Sequence, residues 1–136
     1  MSQYEALRER FATASALEKD HKALLESVAR STAEKLAAYL EAPADRISVK
    51  PSGENGNPKR YGFSYVVGFG QNGLDEHTTE VPVVMTLTRH GLHAKVASGH
   101  DQHVGDPAHP DWHEVFYDVL AILEMDCEAM ENKSRL

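Results

Sequence analysis

From Gln3 to about Glu41 the apolar residues recur at helical spacing. Tyr4, Leu7, Phe11, Ala14, Leu17, Leu24, Val28, Leu36 and Leu40 follow one another mostly by steps of three and four, and neither Gly nor Pro intervenes. Glu18 precedes Lys22 by four residues and Glu26 precedes Arg30 by four, the favourable order of charges on a helix surface. Pro43 brings the element to an end, because it lacks an N–H and disfavours helical geometry in the residue before it. The pattern predicts a helix within residues 1–42. Ser15 followed by Glu18 spells a capping box, which would place a kink near Ser15. A straight helix of this length spans about 58 Å, whereas a domain of this size has a radius of gyration of about 14 Å. Either the helix bends or a second subunit covers the overhanging stripe, and a homodimer is the expectation.

Beyond Pro43 the period shortens to two, and residues 46–99 read as an antiparallel β-meander of four strands. Ile47 and Val49 mark the first, ahead of a Gly-, Asn- and Pro-rich segment over 51–59. Tyr61, Phe63, Tyr65, Val67 and Phe69 form one aromatic face of the second. Val81, Val83, Met85 and Leu87 repeat the alternation, and Leu92, Ala94 and Val96 do so more weakly. A two-residue His90-Gly91 turn would set Leu87 opposite Ala94 and keep the apolar faces together. A two-residue Asn72-Gly73 turn would instead mix the faces. An odd loop, or a bulge near Pro82, restores agreement by pairing Phe63 with Val83.

Residues 100–110 read as a His-rich loop and 111–131 as a second helix. Asp111 is its N-cap candidate with Glu114 three residues on, and Trp112, Phe116, Val119, Leu123, Cys127 and Met130 form its apolar stripe. The whole chain, 1–136, is thus expected to be a single two-layer α+β domain in the order α-β-β-β-β-α, with both helices on the aromatic face of the sheet.

Charge sharpens this picture. The net charge is −7, and residues 111–131 carry Asp111, Glu114, Asp118, Glu124, Asp126, Glu128 and Glu131 without one Lys or Arg. So acidic an element disfavours direct contact with a phosphate backbone and admits a protein partner with a basic surface. Asp118, Glu124, Glu128 and Glu131 are the candidate partner-binding residues. The lone Cys127 excludes an internal disulfide and suits a reducing, cytoplasmic setting. The opening residues lack the apolar core of a secretory signal, and no apolar run reaches membrane-spanning length.

Five of the eight histidines lie between His93 and His113. His100, His103, His109 and His113, interleaved with Asp101, Asp106 and Asp111, are the donors a zinc site would draw on. Their spacing matches no helical HExxH motif, and no cysteine pair accompanies them. No nucleophile elbow, Walker loop or dinucleotide fingerprint occurs. The second sheet face, with Gly62, Ser64, Val66, Gly68, Val84, Thr86 and Ala97, is poor in charge and suited to being covered. The leading expectation is a small acidic, non-catalytic binding protein, a homodimer that captures or inhibits another macromolecule. A nucleic-acid-handling protein, met by the acidic helix, would suit. Expected alternatives are a metal-binding protein or small metal-dependent enzyme, and a sponge for a small anionic ligand using Arg60, Arg89 and Lys95.

Overall fold

The computed structural model describes residues 2–52, 59–70 and 77–134. Helix α1 (Gln3–Leu40) leads through a single 3-10 turn (Ala44–Arg46) into strands β1 (Ile47–Pro51), β2 (Arg60–Gly68), β3 (Thr78–Thr88), β4 (Gly91–Val96) and β5 (Asp101–Gly105), and α2 (His113–Ser134) closes the chain. The strands form one antiparallel sheet in sequential order. The fold is the expected α+β arrangement, with five strands among the described residues in place of four. The fifth lies inside the stretch read as the His-rich loop 100–110. Its only large apolar residue is Val104, so its alternation is almost invisible in sequence, yet Val104 is buried and Gln102 pairs with Ala94 on the core face.

α1 runs unbroken through Thr13 and Ser15, so the Ser15–Glu18 box does not start a new helix and the helical assignment passes through the anticipated kink. The cap in use is Ser2, whose hydroxyl accepts the Glu5 N–H at 3.2 Å. At the other end Glu41 adopts the left-handed conformation at φ 55°. Its N–H meets the carbonyls of Ala37 and Ala38, and the Ala42 N–H returns to Ala37 at 2.8 Å. The chain therefore leaves the helix two residues before Pro43 by a Schellman-type turn.

The β2–β3 register pairs Phe63 with Val83, as parity requires, with an odd number of residues between Gly68 and Thr78. The Asn72-Gly73 turn lies outside the described residues. Between β3 and β4 the two turn residues are Arg89 and His90, one position earlier than expected, so Leu87 faces Leu92 and Met85 faces Ala94. The shift has a local cause. Gly91 sits at φ 116° with its α-carbon pressed against β5, where a Cβ would come within 2.8 Å of the Gly105 carbonyl oxygen. Only glycine fits there, and it serves the ladder rather than the turn. Thr88 braces the turn, accepting the His90 N–H at 3.1 Å and donating to the Gly91 carbonyl at 3.0 Å.

The core lies between the sheet and the helices. Tyr61, Phe63, Tyr65, Val67, Val81, Val83, Met85, Leu92, Ala94 and Val96 meet Leu25, Val28, Ala29 and Leu36 from α1 and Val115, Phe116, Val119 and Leu123 from α2. One polar link crosses it. The Tyr65 hydroxyl donates to Thr32 Oγ1 at 2.6 Å, and Thr32 donates to the Ala29 carbonyl at 2.7 Å. Burial holds the Tyr65 hydroxyl far above the usual phenol range, an effect its hydrogen bond to Thr32 only partly offsets.

Candidate functional site

Strand β4 and the newly placed β5 decide where the histidines go. His93 and His103 face each other across this pair on the sheet surface away from the helices, with ring centroids 4.9 Å apart and planes at 72°. His93 Nδ1 donates to Asp101 at 3.0 Å, and His103 Nε2 donates to the His90 carbonyl at 3.0 Å. The pairing holds His103 in the strand, while His113 opens α2 and sets its ring edge-on to Tyr39 at 6.1 Å. His100 and His109 are exposed in the segments before and after β5. Among the described residues no group of three or more His, Cys, Asp or Glu side chains is arranged to hold a metal ion. The set His100, His103, His109 and His113 is therefore not drawn together. The juxtaposition that does occur, His93 with His103, follows from strand register and was not legible from spacing alone.

The cationic trio comes from three separate places. Arg60 and Lys95 lie on the outer strands of a β2-β3-β4 row with β3 between them, and Arg89 occupies the β3–β4 turn.

Helix α2 starts at His113, two residues later than expected. Asp111 Oδ1 accepts the His113 N–H at 3.1 Å, and the Trp112 carbonyl accepts the Phe116 N–H at 2.9 Å, so Trp112 occupies the cap position. Its apolar stripe splits in two. Trp112, Phe116, Val119 and Leu123 are buried, but Cys127 and Met130 are exposed and stand over an open space opposite Phe69 and Thr79 instead of packed core. The anticipated packed thiol is in fact a surface group. It donates to Glu131 at 3.6 Å, and that carboxylate raises its pKa first through the hydrogen bond and then through its charge. Of the acidic candidates, Asp118 is half-buried and accepts the Gln102 amide at 3.1 Å, a structural link between α2 and β5. Glu124, Glu128 and Glu131 are exposed.

The second half of α2 roofs an open, mainly apolar cleft of about 810 Å³. Leu40, Val67, Phe69, Leu120 and Leu123 line it, with Glu124, Arg46 and His77 among its polar residues. A second apolar surface lies on α1, whose buried residues begin only at Leu25. Ahead of it Tyr4 and Phe11 are each 72% exposed, Leu17 53% and Leu7 49%. The periodicity that predicted α1 is thus used for packing in its second half alone. The cleft gave no sequence signal, since it arises from where two elements end.

No helix among the described residues is long and apolar enough to cross a membrane. Comparison with protein-family models, with curated proteins and with solved structures finds no match to this chain.

Proposed function

We propose that this chain is a non-catalytic binding protein that works as a homodimer, with the first half of α1 as its pairing surface. The cleft beneath α2, bordered by Glu124 and continued by Glu128 and Glu131, captures an apolar segment of basic character from another protein. A nucleic-acid-handling protein would carry such a segment, and occupancy would keep it from its own target. The observation that carries the reading is the exposed stripe Tyr4, Leu7, Phe11 and Leu17, continuous with the face that α1 buries from Leu25 onward. Large apolar side chains in such a row favour association, each burying apolar area at about 25 cal/mol per Å². The cleft supports the second part, because apolar walls with a few charged groups at the margin suit an amphipathic segment.

Native mass spectrometry and light scattering at micromolar concentration test the dimer. A mass of twice the 15.1 kDa chain is expected, falling to the single-chain mass in a Tyr4→Ser/Phe11→Ser variant whose core is untouched. A single-chain mass for the unaltered protein at every concentration would refute the pairing surface.

A further inference from the structure

The exposed half of α1 has an internal symmetry about Ala14. Phe11 and Leu17 lie three residues to either side of it, Leu7 and His21 seven, and Tyr4 and Leu24 ten. The centre, Ala12-Thr13-Ala14-Ser15-Ala16, contains only small side chains. At about 100° per residue, Leu7, Ala14 and His21 point within roughly 20° of a common direction. Leu25, Val28 and Thr32, which α1 buries against the sheet, lie on that same face.

Charges follow the same symmetry. Arg8 and Arg10 precede Ala14, while Glu18 and Asp20 follow it. When two such helices run antiparallel across a two-fold axis, each side chain meets the residue equally far on the other side of the centre. Phe11 then shares a layer with the partner's Leu17, Leu7 with the partner's His21, and Tyr4 with the partner's Leu24. By the same rule Arg8 shares a layer with the partner's Asp20 and Arg10 with the partner's Glu18, so the charged layers bring opposite signs together. The two copies of Tyr4, Leu7, Phe11, Leu17 and Leu24 expose on the order of 1,000 Å², the lower limit of a specific interface.

We infer that the occupant of this face is a second copy of the chain, bound antiparallel with the two-fold axis at Ala14. The inference rests on the dimeric reading above and adds its direction and register. The helices meet most closely where only small side chains intervene, and the two domains sit at opposite ends of the paired arms, each retaining its own cleft. The interface is isologous and closes at two chains.

Disulfide trapping in a Cys127→Ser background separates the inference from the reading beneath it. Ala14→Cys should oxidise readily to a linked dimer, since the axis brings its two copies within disulfide reach of about 7 Å. Leu7→Cys alone should not, because its two copies are about 21 Å apart along the arms. A mixture of Leu7→Cys with His21→Cys should give the crossed heterodimer. Independently, Arg8→Glu/Arg10→Glu should weaken dimerisation about tenfold or more, and adding Glu18→Arg/Asp20→Arg should restore it. A dimeric mass with Leu7→Cys linking to itself would overturn the antiparallel register while leaving the dimer intact. A single-chain mass without crosslinks in any variant would overturn both.

Discussion

At the residue scale the Thr32–Tyr65 pair shows how a buried polar contact can be more consequential when broken than when made. Thr32 serves two partners at once, accepting from Tyr65 and donating to Ala29. Thr32→Val keeps the shape but leaves the Tyr65 hydroxyl in the core without an acceptor, at a cost of about 1–3 kcal/mol. Tyr65→Phe removes the donor and leaves Thr32 its bond to the Ala29 carbonyl, so the loss should be smaller, about 0.5–1.5 kcal/mol. The double variant should be more stable than the sum of the single losses implies, because the orphaned hydroxyl is gone. Urea unfolding of the four proteins checks this, and strictly additive losses would show that the bond does not couple the two residues. The sequence marks Tyr65 as a core position through its two-residue phase with Phe63 and Val67, but does not mark its partner. Thr32 looks like any polar residue on a helix, and its role appears only once α1 is laid on β2.

Elements were legible where their period was long and strongly contrasted. α1, β2, β3 and α2 each carry at least four apolar positions in phase, and the structure places all four close to where the pattern put them. β5 was missed because its five residues, DQHVG, contain one buried apolar side chain. The parity of β2 against β3 was readable because a one-residue slip would have turned Phe63 to the wrong face. The β3–β4 turn is displaced from its expected place because the demand on Gly91 comes from β5, which the apolar pattern does not mark. Burial was the harder part, since periodicity says which face is apolar and not where the neighbouring layer stops. That distinction makes the first half of α1 testable as an element. Residues 3–24 lack the core support given to Leu25–Leu40, and most helical stability in a protein comes from packing of the apolar face. Helical ellipticity should therefore fall on dilution through the dimer dissociation range, and amide exchange should accelerate in residues 3–24 before it does in the sheet. Constant ellipticity through a demonstrated change from dimer to monomer would mean that the arm is a stable helix without its partner.

Across the whole molecule the negative charge gathers on the exposed end of α2, beside an apolar cleft and away from the first half of α1. Glu131 sits in the last turn of the helix, where the backbone already carries partial negative charge and a carboxylate is unfavourable by about 0.3–1 kcal/mol. Lys133 in the same turn and the Cys127 thiol partly offset that conflict. Replacing Glu124, Glu128 and Glu131 together by Gln keeps side-chain length and helix propensity while removing three charges. The melting temperature should stay level or rise slightly, since the dipole conflict at Glu131 is relieved. A Lys/Leu amphipathic helical peptide is a suitable probe, offering the apolar cleft one face and the carboxylates the other. Its association rate with the unaltered protein should fall steeply with added salt, because steering is screened over about 8 Å at physiological ionic strength. In the triple variant the rate at low salt should drop and its salt dependence should flatten, with a smaller change in dissociation rate. Stopped-flow fluorescence across a salt series reads both quantities. Equal rates and equal salt slopes for the two proteins would assign these three carboxylates to solvation alone and leave the capture of a basic segment to the apolar walls of the cleft.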